Sequence, residues 1–114
     1  MPKHSKGRNE SLMLRYLSEI VSYKVHDPSL GLTTVTEVEV TSDYSYAKVF
    51  VSFLGDGDVK AKMTILNNAA GFIRHELAQK MTIRKIPELR FVYDDTLEKA
   101  AKLDAILKKA LKDK

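Results

Sequence analysis

The sequence predicts a two-layer α+β domain, in which a three-stranded sheet carries helices on one face. Two observations indicate this class. Three short segments alternate apolar and polar residues with the period of a strand, and longer segments repeat apolar residues at helical spacing. The predicted order is helix, strand, strand, helix, helix, strand, helix. Three strands suffice for one sheet, and charged residues on one side of the strands indicate a solvated outer face.

The first helix is predicted to begin at Asn9, whose side chain can cap the helix N-terminus. Apolar residues at helical spacing give this helix a buried face, formed by Leu12, Met13, Tyr16, Leu17, Ile20 and Val21. Pro28 disfavours helical geometry at Asp27, the residue before it. The first helix is therefore predicted to end ahead of Pro28.

The next two elements are predicted to be strands of an antiparallel hairpin. Residues 33–41 are rich in Thr and Val, and strict alternation puts Thr34, Thr36, Val38 and Val40 on one face and Glu37 and Glu39 on the other. In the second strand, alternation points Ala47, Val49, Val51 and Phe53 inward. The connection at residues 42–45 is short and polar, which is typical of a hairpin turn.

One long helical pattern follows, and a glycine interrupts it. Asp58 can cap the pattern, and its apolar stripe consists of Val59, Met63, Leu66, Ala70, Ile73, Leu77 and Met81. Gly71 lies within it, and glycine in a helix interior costs about 1 kcal/mol relative to alanine. Such a glycine indicates a kink, a cap or a close approach of backbone. From this stretch alone, tight packing against the sheet is the simplest explanation of Gly71.

The chain ends in a third strand and a last helix. The strand is predicted over residues 89–93, after Pro87. Asp95 and Glu98 have the spacing of a capping box for the last helix. The buried side of this helix is predicted to contain Leu97, Ala100, Ala101, Leu107 and Leu111. At 114 residues the chain fits a single domain over 1–114, with residues 1–7 and 112–114 expected to fray.

Charge and composition favour a polyanionic partner and exclude several classes of site. The formal net charge is +4, and acidic residues concentrate in segment 37–58 while basic residues dominate segment 74–90. There is no cysteine, so disulfides and thiolate sites are excluded and a reducing, cytoplasmic setting is expected. No apolar run is long enough for a membrane span, and no secretory signal follows the basic N-terminus.

No catalytic or metal-binding motif is complete. His75 and Glu76 begin a zinc-protease motif, but the position of its second histidine is Gln79. A P-loop and a GxSxG nucleophile elbow are both absent from the sequence. The sequence therefore predicts a protein that is not an enzyme and needs no cofactor or metal.

The order of the first six elements is that of a type II KH domain, a fold that binds nucleic acid at the junction of two adjacent helices. Four segments carry a more specific resemblance. They are Val35–Val40 with Ser42 and Asp43, Ala47–Ser52, Ala69–Ala78, and Pro87–Phe91 with Asp94. Together and in this order they resemble ribosome-binding factor A, a family of small-subunit assembly factors.

This resemblance implies both a fold and a function. The family is similar to a type II KH domain in which an Ala-x-Gly kink replaces the Gly-rich loop, and this implies a helix-kink-helix at Ala69, Ala70 and Gly71. It implies a non-enzymatic factor that binds the immature small ribosomal subunit and its rRNA, assists late rRNA maturation and matters in the cold. A monomer without a small-molecule substrate is expected.

The candidate RNA-binding residues lie around the kink and in the basic segments. They are Asn67, Asn68, Ala69, Ala70, Gly71, Arg74, Lys80, Arg84, Lys85, Arg90, Arg8 and Arg15. A helix that restarts at Gly71 offers free N–H groups to a phosphate, and Arg74 can add a charged fork. Two alternatives stay open: a KH-like RNA-binding protein unconnected with ribosomes, and a protein-interaction adaptor that uses the open sheet face.

Overall fold

The computed structural model describes residues 4–25, 27–55 and 57–112, without the side chains of residues 4–6, 97, 98 and 112. Its elements are α1 (His4–Tyr23), a short 3₁₀ helix (Pro28–Leu30), β1 (Leu32–Val40), β2 (Tyr46–Leu54), α2 (Val59–Asn68), α3 (Ala70–Lys80), β3 (Glu88–Tyr93) and α4 (Thr96–Lys112). This order confirms the predicted α+β class. Within the described residues, no helix has both the length and the apolarity needed to cross a bilayer.

The three strands form one sheet in the order β1-β2-β3. β1 and β2 pair antiparallel, as the hairpin predicts, and β3 pairs parallel to β2. Helices α1, α2 and α3 contact the strands and cover one face of the sheet. The core between the two layers includes Leu17, Val49, Leu66, Ile73 and Leu77, none of which has any exposed side-chain surface.

A β-bulge in β1 makes the prediction of its inward-pointing residues wrong for the first half of the strand. Val35 pairs with Val51 and Glu37 pairs with Phe50, so Thr36 is an extra residue without a partner position on β2. The buried residues of β1 are Thr33, Val35, Val38 and Val40. The prediction for Val38 and Val40 is confirmed, whereas Thr34 and Thr36 are exposed. The extra residue shifts the alternation by one position, which strict period-2 counting cannot detect.

The start of α1 also differs from the prediction. The helix begins at His4, so Asn9 lies inside it and is not its cap. The Asn9 side-chain amide instead donates to the Tyr44 hydroxyl, 2.8 Å away, in the β1–β2 turn. Residues 4–7 and 112, which were expected to fray, belong to α1 and α4, and residues 1–3 and 113–114 lie outside the described part. The predicted break ahead of Pro28 is confirmed, because α1 ends at Tyr23.

The last helix begins where the sequence predicts but does not bury its apolar side. Asp95 immediately precedes α4, yet the side chain of Asp94 accepts the Thr96 N–H, at 3.0 Å. Ala100, Ala101, Leu107 and Leu111 were expected in the core and are exposed, as are all of residues 99–111. The predicted burial is therefore wrong for these residues, and the side chains of Leu97 and Glu98 lie outside the described residues. The inner face of the sheet is already covered by three other helices.

Candidate RNA-binding surface

The two central helices meet at a bend that contains no loop. α2 ends at Asn68 and α3 begins at Ala70, with Ala69 between them at φ −90° and ψ 0°. The Ala69 N–H donates to the carbonyls of Ile65 and Leu66, both at 3.1 Å, which closes the last turn of α2. The predicted helix-kink-helix is thus confirmed. Ala69 joins the helices two residues before Gly71, in the sparsely allowed bridge region of φ and ψ.

Gly71 faces open space rather than the sheet. A Cβ placed on Gly71 would meet no neighbouring element within 4 Å, so tight packing, the simplest explanation from the sequence, is wrong. Ala69 forms no side-chain cap to α3, so the first turn of α3 has no side-chain acceptor from its cap residue. The helix start at Gly71 is therefore accessible from outside, and its N–H end carries the positive part of the helix dipole.

Arg74 extends from α3 to the segment that precedes β3. Its Nε and Nη2 atoms both donate to the Ile86 carbonyl, at 3.2 and 2.7 Å. Gly71, Arg74, His75 and Ala78 line, together with Ile86, a shallow cavity of about 300 Å³ beside this contact. Arg74 remains exposed, so it holds the 81–87 segment against α3 and still presents a cation to solvent.

Two further predicted residues, Arg84 and Lys85, lie in that segment and are exposed. Lys85 also approaches the β1–β2 turn at Asp43. Hydrogen bonds from Ser45 and Thr41, with a smaller contribution from the Lys85 charge, lower the pKa of Asp43 to about 2. The basic segment therefore lies between the α3 side of the molecule and the hairpin turn.

Arg15 and Lys80 are brought together around one aromatic ring. The Arg15 guanidinium lies 5.1 Å from the centre of the Tyr16 ring, and the Lys80 ammonium lies 5.8 Å from it. Lys80 also lies 4.0 Å from the carboxylate of Glu19. The sequence placed Tyr16 in the core and missed its role as a half-buried ring beside two cations. In the sequence, only the adjacency of Arg15 and Tyr16 indicated that this ring could contact a cation.

Asn67 is engaged within the fold. Its side-chain oxygen accepts the Phe91 N–H at 3.1 Å, and its side-chain nitrogen donates to the Phe91 carbonyl at 3.5 Å. β3 is an edge strand of the sheet, so this amide satisfies backbone groups that no strand pairs with. Asn68, the next residue, is exposed, while Ala69 and Ala70 are half-buried against the core.

Arg90 and Arg8 lie apart from the bend. Leu89 and Phe91 are buried beneath the helices, so Arg90 points to the opposite face of the sheet, where its guanidinium stacks 4.2 Å from the centre of the Tyr46 ring. Arg8 is exposed near the start of α1. The structure therefore places Gly71 and Arg74 beside the segment that contains Arg84 and Lys85, and it places Lys80 on another side of α3, beside Arg15. We call these six residues the α3 surface.

The described residues contain no cluster of three or more histidine, aspartate or glutamate side chains able to hold a metal. The chemistry offered by the α3 surface is instead cationic. Guanidinium and ammonium groups lie beside the exposed N-terminus of α3 at Gly71. This combination is suited to binding phosphate groups.

Comparison with known proteins identifies the family. The family model described as ribosome-binding factor A matches residues 5–107. A ribosome-binding factor A of Pseudomonas paraeruginosa is 40% identical over 102 residues, which cover 87% of this chain and 80% of that protein.

Two structural comparisons support the same assignment. The crystal structure of ribosome-binding factor A from Thermus thermophilus superposes with a TM-score of 0.72 at 27% identity, covering 77% of this chain and 93% of that one. A homology model of the Thermus thermophilus factor, fitted into a cryo-EM map of its complex with the 30S subunit, has a TM-score of 0.65 at 26% identity and covers 75% and 90% of the two chains. The chain therefore belongs to the ribosome-binding factor A family.

Proposed function

We propose that this protein binds the immature small ribosomal subunit through its rRNA and assists late rRNA maturation without catalysing a reaction. Family membership is the observation that carries the proposal, because a Thermus thermophilus relative of the same fold is fitted into a 30S complex. In this proposal the whole chain, 1–114, acts as one cytoplasmic domain, as a monomer without a cofactor. Its action matters most in the cold.

The α3 surface supports RNA as the contacted component. Its five cations, Arg15, Arg74, Lys80, Arg84 and Lys85, lie on one helix, on its following segment and on the adjacent part of α1. Gly71 leaves room for a phosphate to approach the start of α3, because no protein atom occupies the space that a side chain would take. Arg90 lies on the other sheet face, so we do not include it in this contact.

The first test is co-sedimentation of the protein with immature and with mature small subunits. We expect preferential binding to immature subunits. The double variant Arg84→Glu with Lys85→Glu reverses two exposed cations that make no hydrogen bond holding the fold, unlike Arg74, and it should lose this binding. The matched control is Lys108→Glu with Lys109→Glu, which produces the same charge change on α4. Thermal melting checks that both variants are folded.

The second test is the salt dependence of binding to isolated rRNA fragments. Neutralising about four phosphates should give a log–log slope of about −3 to −4 for the wild type, and a shallower slope for the Arg84, Lys85 double variant. Binding that does not change with salt would contradict an rRNA contact and favour the adaptor alternative. Equal binding to immature subunits and to unrelated RNA would favour a KH-like RNA-binding protein without a ribosomal role.

A further inference from the structure

The outer edge of β1 borders a groove that the proposed RNA contact does not use. Among the described residues β1 pairs only with β2, so it is an edge of the sheet. The groove has a volume of about 480 Å³ and lies between this edge and the first half of α1. Strand residues 36–40 form one wall, and the other wall is formed by Gly7, Glu10, Ser11 and Leu14.

The backbone of β1 points hydrogen-bonding groups into this groove. The Thr41 N–H donates to the Tyr46 carbonyl and is directed toward β2. The backbone N–H and C=O groups of neighbouring strand residues point to opposite edges of the strand. The Val40 N–H therefore points away from β2, and it donates to Glu10 Oε2 at 2.7 Å. Val38 is two residues from Val40 with no bulge between them, so its N–H and C=O point outward as well. Such an edge can pair with an added strand.

The charge of the groove indicates what kind of strand fits. Glu10, Glu37 and Glu39 all line it, and its described lining residues include no lysine or arginine. Glu37 and Glu39 lie on the exposed face of β1, whereas Leu14 is half-buried on the side of α1. A strand added beside β1 would alternate its side chains between these two sides. Apolar side chains would contact Leu14, and basic side chains would lie beside the glutamates.

We propose that this groove binds an extended basic segment of another protein, which adds to the sheet beside β1. A second copy of this chain is the less suitable occupant, because pairing two β1 edges would bring the three glutamates of each copy together. The groove is at the opposite edge of the sheet from β3, which Asn67 blocks. Peptide binding is therefore independent of the α3 surface, and either proposal can fail without the other.

The probe is a seven-residue peptide of alternating lysine and valine with blocked ends, titrated into the full-length protein by calorimetry and NMR. We expect one peptide per protein and at least about tenfold slower exchange of the Val38 amide hydrogen when the peptide is bound. Two further peptides carry N-methyl groups on every valine or on every lysine. In the extended peptide the valine N–H groups point to one edge and the lysine N–H groups to the other. Only one edge can pair with β1, so one of these two peptides should lose binding and the other should keep it.

Protein variants test the contribution of charge. Glu10→Gln with Glu39→Gln keeps the acceptor for the Val40 N–H and should weaken peptide binding about tenfold, with loss of most of its salt dependence. Glu19→Gln with Glu88→Gln makes the same charge change outside the groove and should leave binding unchanged. Melting curves of both variants confirm that they are folded.

Several outcomes would overturn the proposal. In calorimetry these are absence of peptide binding and equal binding of both N-methylated peptides. In NMR they are an unchanged exchange rate of the Val38 amide hydrogen and peptide-induced shifts of α4 resonances instead of β1 resonances. The glutamates would then serve only to keep an exposed edge from pairing with other chains. Concentration-dependent dimerisation through β1 would identify the second copy as the occupant and would also overturn it. Retained peptide binding in the Arg84, Lys85 double variant would show that the two surfaces act separately.

Discussion

α3 and α4 both repeat apolar residues at helical spacing, but α3 buries these residues and α4 exposes them. α3 buries Ile73 and Leu77 completely beneath the sheet. α4 exposes Leu103, Ile106, Leu107 and Leu111, each by more than half of its surface. An apolar stripe at helical spacing thus defines which side of a helix is suited to burial. It does not say whether the fold has a surface to cover that side.

The difference follows from the size of the sheet. Three strands offer one inner face, and α1, α2 and α3 contact it. The outer face is mixed: it has exposed charged residues, among them Lys48 and Arg90, beside the exposed apolar residues Leu32 and Leu54. α4 covers neither face with its apolar side, because residues 99–111 are exposed. α4 comes last in the chain and begins directly after β3, at the edge of the sheet.

The largest effect is expected from Leu77→Ala in α3. Because Leu77 has no exposed surface, its truncation removes buried methyl groups and leaves a cavity, which should lower the free energy of unfolding by about 2–5 kcal/mol. Urea denaturation monitored by circular dichroism measures this change. A loss below about 1 kcal/mol would contradict the assignment of α3 to the core.

A smaller effect is expected from Asn67→Ala at the end of α2. The change removes both hydrogen bonds to the Phe91 backbone and should cost about 1–2 kcal/mol, with faster hydrogen exchange at the Phe91 amide. Asn68→Ala is the matched control, because the side chain of Asn68 makes neither of these hydrogen bonds, and it should change stability by no more than about 0.5 kcal/mol. Equal effects of the two substitutions would exclude Asn67 as the partner of the β3 edge.

Asp94, at the start of α4, should make the stability of the protein depend on pH. Hydrogen bonds from the side chain of Thr96, the side chain of Thr36 and the Thr96 backbone lower the pKa of Asp94 from its ordinary 3.8. A carboxyl whose folded pKa is lowered stabilises the protein above pH 3.8, and this contribution is lost as the pH falls through the folded value.

Melting temperatures of wild type and Asp94→Asn, measured from pH 7 to pH 2, test this effect. The wild type should be the more stable at neutral pH, and the difference should shrink below about pH 4 as the carboxyl becomes protonated. A difference that stays constant over the whole range would show that the charge of Asp94 does not contribute.

The smallest effect is expected from Leu107→Ala in α4, which is the direct counterpart of Leu77→Ala. Leu107 is 54% exposed, so its truncation should change the free energy of unfolding by no more than about 0.5 kcal/mol. The same denaturation experiment measures both variants. A loss above about 1 kcal/mol at Leu107 would mean that α4 packs against the body of the protein in solution.

Much of the candidate site follows from residues close together in the chain. The break between α2 and α3 lies at the Ala69-Ala70-Gly71 stretch that the family resemblance indicates, and Asp58 caps α2 as predicted, accepting the Lys60 N–H at 3.0 Å. The functional assignment of the basic residues stays a prediction. Their grouping was not predictable, because Arg74 and Ile86 are twelve residues apart and Arg90 alternates to the other sheet face.

The sequence by itself determined the kinds of elements and their order, because spacing of apolar residues, caps and turn residues act over a few positions. Only the tertiary structure decided the bulge at Thr36, where a hydroxyl donates to Asp94 from 58 residues away. The same holds for the hydrogen bonds of Asn67 to the backbone of β3 and for the exposure of the apolar residues of α4. Each depends on which surfaces meet in space, and local periodicity contains no information about how much sheet is left for a helix to cover.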